Sequence, residues 1–148
     1  MDRLAPHITC IDLEYLGTPR VIGSCLVEGA NGPALIDPGP GSALETLRAR
    51  LRGRGVEVKD LRAVLLTHIH LDHAGATGSL VLENPAIRVY VHERGATHLV
   101  DPTRLLQSAQ RIYGAEMDRL WGEFLAVPAA NITTLAGGER LEDRKSVV

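Results

Sequence analysis

Four side chains able to bind a metal fall within six consecutive positions, His68-Ile69-His70-Leu71-Asp72-His73, and three of the chain's six histidines are among them. The stretch directly follows the apolar run Ala63-Val64-Leu65-Leu66-Thr67. Residues two apart on an extended chain project the same way, so His68 and His70 can present their imidazoles to one cation. A turn at Leu71 then carries Asp72 and His73 round to a neighbouring position. Nitrogen and carboxylate donors in one turn suit zinc or a related first-row metal. Ile69 and Leu71, between the ligands, are expected to anchor the loop in the core, because a metal site must be held rigidly by its surroundings. Left unpaired, four such groups in one tight turn would carry a desolvation cost.

The elements that must hold this loop can be read outward from it. Ala63 to Thr67 is continuously apolar, which predicts a strand buried on both faces. Before it, Ile8 to Leu16 and Val21 to Glu28 read as strands, with Gly17-Thr18-Pro19 as a turn. Asn31-Gly32 signals a hairpin into Ala34-Leu35-Ile36, a short strand ending on Asp37. Pro33 is tolerated at that strand's start. Asp37-Pro38-Gly39-Pro40-Gly41 is a rigid loop, after which Ser42 and Glu45 predict a capping box. Leu44, Leu47 and Leu51 give the following helix one apolar face, and Gly53 and Gly55 stop it. Arg48, Arg50, Arg52 and Arg54 crowd its C-terminal end, where cations complement the helix dipole.

After the hexapeptide, Ala74-Gly75-Ala76 leads into a helix to about Glu83, broken by Asn84-Pro85. Arg88 to Val91 is a strand ending at His92. Glu93 to Val100 reads as a short helix. Asp101-Pro102 restarts the pattern as N-cap and first helical position, with an apolar stripe through Leu105, Leu106, Ala109, Ile112 and Tyr113. Ala115 to Phe124 is a further helical stretch, and Ile132 to Leu135 a weak strand. The helical arm, about 93–125, either shapes a site from outside or only packs. Strand and helix alternate from Ala34 onward, which indicates α/β layering.

Composition narrows the field. A chain of 148 residues that is 45% hydrophobic is one domain, or part of a larger one. A net charge of −2 makes no case for nucleic acid or an anionic membrane. No apolar run reaches the roughly 20 residues needed to cross a bilayer. The first seven residues have no basic and apolar leader, so a cytoplasmic protein is expected. The two cysteines, Cys10 and Cys25, are expected to be buried thiols rather than a disulfide.

At Thr67-His68-Ile69-His70-Leu71-Asp72-His73-Ala74-Gly75 the sequence resembles the metallo-β-lactamase fold superfamily, and Leu35-Ile36-Asp37-Pro38-Gly39 looks like the same family's N-terminal half. The resemblance extends to about His92, and the arm beyond it resembles insertions in some hydrolases of the group. It implies an αββα sandwich, of which this chain supplies the N-terminal half and a helical arm. It implies His68 and His70 as ligands of a first metal and Asp72 and His73 as ligands of a second. Asp37 would stand behind them, orienting a ligand imidazole or the loop backbone. The implied reaction is hydrolysis of a small-molecule ester, thioester or lactone. Two Zn2+ ions would lower the pKa of a shared water and stabilise the developing oxyanion, with Asp72 positioning the resulting hydroxide. Iron or manganese could replace zinc. Asp72 at the fifth position of the motif and His73 at the sixth resemble two-zinc hydrolases, whereas the family's diiron flavoproteins usually carry a carboxylate at the third position, where this chain has His70.

The family also needs a third histidine, a bridging aspartate and a final histidine downstream. No histidine follows His98. His92 and His98 are candidates only by elimination, and His7 is incidental. The expectation is therefore a truncated hydrolase that in isolation binds metal weakly and catalyses poorly. The alternatives are a non-catalytic fragment or pseudo-enzyme, a nuclease using the arginines at 48 to 54, or an iron-dependent persulfide dioxygenase. The expected partner is a small-molecule substrate, with neither nucleic acid nor membrane, and a homodimer stays open.

Overall fold

The computed structural model of the protein describes residues 2–143 and 146–147. Among them, seven strands form one sheet in sequence order. The first four are β1 (Asp2–Ala5), β2 (Ile8–Asp12), β3 (Gly23–Gly29) and β4 (Gly32–Ile36), paired as an antiparallel meander. Gly29 pairs with Gly32, so Ala30 and Asn31 make a two-residue turn, and the positive φ of 113° falls on Gly32. Then β5 (Ala63–Leu65), β6 (Arg88–His92) and β7 (Ile132–Leu135) continue the sheet in parallel.

Parallel neighbours need crossovers, and these supply the helices. Between β4 and β5 runs α1 (Leu44–Arg52). Between β5 and β6 run α2 (Leu71–Ala74) and α3 (Thr77–Glu83). Between β6 and β7 run α4 (Glu93–Val100), α5 (Thr103–Tyr113) and α6 (Met117–Trp121). Three successive right-handed crossovers that step the same way across a sheet put their helices on one face. The register agrees. Thr9, Leu26, Leu35, Val64 and Val89 form one row across β2 to β6 and are all buried. That row's apolar members share a core cluster with Leu47 and Leu51 of α1 and Leu80 of α3. The adjacent row, on the opposite face, runs Cys10, Cys25, Ile36, Leu65 and Tyr90, and every member is only half-buried.

The structure departs from the sequence reading at one end of α1 and adds partners at the other. The start of α1 has no capping box: it grows out of a 3-10 turn at Gly41–Ala43, and its N-cap Ala43 has no side chain that can cap. Ser42 instead donates to the Leu120 carbonyl at 2.7 Å, tying the start of α1 to α6. The arginines near the end of α1 pair with acids on other elements and within the helix: Arg48 with Glu45 and Glu83, Arg50 with Glu14, and Arg54 with Glu28. Among the described residues no helix is long and apolar enough to cross a membrane.

Candidate metal centre

Two loops at the same end of the sheet build the site. One leaves β4 at Asp37, the other leaves β5 at Thr67. The parallel pairing places the two strand ends side by side, and the Asp37 N–H donates to the Leu65 carbonyl at 3.0 Å. Backbone bonds lock the loops together further on, from the Gly39 N–H to the His73 carbonyl at 3.0 Å and from the Ala76 N–H to the Gly39 carbonyl at 2.8 Å. Gly75 permits this closeness, because a Cβ there would lie 2.9 Å from the Pro40 Cα. Gly95 does the same for α4, where a Cβ would lie 2.6 Å from the Ile69 side chain. Leu71 is buried at 6% exposure and Ile69 packs against the core, so both residues between the ligands anchor the loop as expected.

Asp37 organises the ligand side chains. One carboxylate oxygen accepts the Thr67 N–H at 2.8 Å. The other accepts the Thr67 hydroxyl at 2.6 Å and stands 2.9 Å from His73 Nδ1. A carboxylate only accepts, so His73 carries its proton on Nδ1 and leaves Nε2 with a free lone pair. The Thr67 hydroxyl spends its one proton on Asp37. Its oxygen stands 3.0 Å from His68 Nδ1, which must therefore donate. His68 Nε2 is then also free to bind a cation. Hydrogen bonding through the far nitrogen is the usual way a metal-binding imidazole is fixed in tautomer and orientation. Burial, reinforced by the neighbouring His73 and His70, lowers the His68 pKa and favours the neutral ligand form.

Ligand atoms of His68, Asp72 and His73 all lie within 4.8 Å of one another. His73 Nε2 is 3.3 Å from an Asp72 oxygen, and the His68 and His73 rings stand 4.0 Å apart between centroids. His70 meets His68 edge-on with centroids 4.7 Å apart and is not part of the three-residue cluster. The donor set, two neutral imidazoles and a carboxylate with a fourth histidine beside them, fits a first-row divalent cation. His92 shares a cleft with His68, but its Nδ1 accepts the Arg94 N–H at 3.2 Å and caps α4. His98 is half-buried on α4 and His7 is exposed in the turn after β1.

Residues 17–144 match the family model of the metallo-beta-lactamase superfamily. The chain belongs to that superfamily. Its solved structures share the fold. A metallo-beta-lactamase family protein from Thermus thermophilus superposes with a TM-score of 0.71 at 25% identity, covering 98% of this chain and 51% of that one. The native FEZ-1 metallo-beta-lactamase from Legionella gormanii superposes with the same TM-score at 17% identity, covering 98% and 49%. Among sequences, metallo-beta-lactamase domain-containing protein 1 from Homo sapiens is 44% identical over 64 residues, 41% of this chain and 24% of that protein. The probable metallo-hydrolase YqjP from Bacillus subtilis is 40% identical over 62 residues, 39% of this chain and 19% of that protein. The chain thus spans about half the length of its solved superfamily relatives and matches a quarter or less of these two proteins.

Sequence reasoning missed an aromatic cluster beside the metal-binding loop. Tyr15 stacks on Trp121 with centroids 5.9 Å apart, and Tyr113 meets Trp121 edge-on at 5.2 Å. Asp72 is close enough to add to the rise in the Tyr15 pKa, which comes mainly from burial. No local pattern joins these three residues. The one available signal is scarcity, since they are three of only five aromatic residues in the chain.

Proposed function

We propose that this superfamily member carries the principal metal-binding loop of a hydrolase for a small-molecule ester, thioester or lactone, with zinc as the metal and two cations in the complete site. The observation that carries the reading is the hydrogen-bonded line from Asp37 through Thr67 to His68 and directly to His73. It frees one nitrogen of each imidazole toward Asp72. Bound cations supply Lewis acidity, activating water near neutral pH and polarising a carbonyl. The protein's own part is positional. Asp37 and Thr67 fix the imidazoles, and Asp72 orients the attacking water by accepting its hydrogen bond. The donors gathered among the described residues, His68, Asp72 and His73, are fewer than two cations require. The pairing of Arg48, Arg50 and Arg54 with acids speaks against a nucleic-acid channel there. A reducing, cytoplasmic compartment fits Cys10 and Cys25, which face each other across β2 and β3 as free thiols.

The test is a panel of thioesters, lactones and phosphodiesters, assayed with the zinc-loaded chain and with any longer protein containing it. Slow thioester or lactone turnover is expected, falling about hundredfold or more in Asp72→Asn. Equal turnover by Asp72→Asn, or turnover of phosphodiesters alone, would refute the reading.

A further inference from the structure

The stripe on α5 meets the core only in part: Ala109 belongs to it, and Leu105, Leu106 and Tyr113 pack against it half-buried. Leu105, Ala109 and Ile112 share one helical face, yet only Ala109 is buried and Ile112 is 73% exposed. They form one wall of a groove of about 310 Å³ between the arm and the metal-binding loop. His70 and Asp72 stand in its lining, and the Trp121 and Tyr113 rings complete it. Tyr15, stacked on Trp121, backs that ring pair. Among the described residues no lysine or arginine lines the groove. It therefore has no fixed positive charge for a phosphate or carboxylate, although Ser108 and His70 also line it, and Asp72 repels either one.

We infer that this groove binds the acyl part of the substrate, an uncharged aliphatic chain of medium length, with its carbonyl end at His70 and Asp72. This rests on the hydrolase reading for the word substrate, while the groove itself is defined by α5, α6 and the loop alone. Its volume of about 310 Å³ is at the low end of the roughly 300–1,000 Å³ of small-molecule sites, which suits an acyl chain. The aliphatic wall, rather than a second aromatic layer, selects a flexible chain over a flat ring. Each further methylene buried against it should tighten binding about fourfold, so affinity should climb with chain length until the groove is full.

Trp121 is the chain's one tryptophan, so its fluorescence reports on the groove directly. The experiment titrates the full chain, in buffer containing a chelator, with acetamide, butanamide, octanamide and phenylacetamide. These neutral amides keep the carbonyl and are not turned over. A saturable emission change is expected with octanamide, weaker with butanamide and absent with acetamide and phenylacetamide at the same concentrations. Ile112→Ser, at an exposed position that leaves the core intact, should weaken octanamide about tenfold with unchanged circular dichroism and thermal midpoint. No saturable change with any amide, equal octanamide affinity in Ile112→Ser, or a preference for phenylacetamide would each overturn the proposal. Because metal and turnover play no part, failure here leaves the hydrolase reading standing, and failure of the hydrolysis panel leaves the groove standing.

Discussion

Asp37 holds the site in a backbone conformation that few residues accept. Its φ is 49°, in the left-handed region where a short polar side chain is tolerated better than most. Its carboxylate takes the Thr67 N–H, the Thr67 hydroxyl and the proton of His73 Nδ1. Replacing it by alanine leaves those groups without an acceptor and keeps the strain. Asp37→Ala should therefore lose about 2–4 kcal/mol by denaturant unfolding and about 10–100-fold in zinc affinity. Asp37→Asn keeps the left-handed preference and one acceptor oxygen, so it should recover most of the stability and little of the affinity. Wild-type zinc binding by Asp37→Ala would show that the imidazoles need no such anchor. The gathering of His68, Asp72 and His73, with His70 beside them and Asp37 hydrogen-bonded behind, was legible because donor chemistry and spacing are local properties. The tautomers were not, since they depend on hydrogen bonds between loops from two different strands.

At the scale of elements, the segment between β2 and β3 sets the position of the aromatic cluster. Glu14, Leu16 and Arg20 all have positive φ, an expensive arrangement for residues with a Cβ. Asp12 compensates: its carboxylate accepts the Glu14 N–H at 3.0 Å and the Arg20 N–H at 2.9 Å, closing the segment at both ends. The bond from Glu14, opposed in part by burial and aided by the one from Arg20, lowers the Asp12 pKa. A depressed carboxylate stabilises the fold above its unfolded pKa of about 3.9 and loses that contribution as pH falls through its lower folded value. Asp12→Ala should cost about 1 kcal/mol near neutral pH, with the difference from wild type vanishing in strong acid. The same variant should shift Trp121 emission, because Tyr15 is no longer held against the indole. A pH-independent difference would remove the carboxylate from this role.

The other elements show which patterns are readable. Leu44, Leu47 and Leu51 are buried as their spacing required; the Ala63 run lies between two parallel partners, but its strand is buried on one face only, at Val64, with Ala63 and Leu65 half-buried. Ser42 has the right neighbours for a capping box, but a tertiary partner, the Leu120 carbonyl, takes its hydroxyl. The α5 stripe has core periodicity yet lines a groove, because periodicity reveals an apolar face and not what that face meets.

The whole molecule is built on an asymmetric sheet. One face is filled by helices from three crossovers. The other carries the half-buried row through Ile36, Leu65 and Tyr90. The strands themselves were legible as apolar runs, whereas the half-burial of one face and the meeting of Tyr15 with Trp121, from distant parts of the chain, had no sequence signal. The candidate metal site lies where β4 and β5 end, and the donor side chains gathered there come from loops that this one sheet positions. Metal analysis of the chain after zinc loading and dialysis, for wild type and His68→Ala in parallel, tests this account most directly. Fewer than the roughly two zinc ions of a complete dinuclear site are expected in the wild-type chain, and clearly less metal in His68→Ala. Equal zinc in both proteins, or two tightly held ions in the wild-type chain, would contradict it.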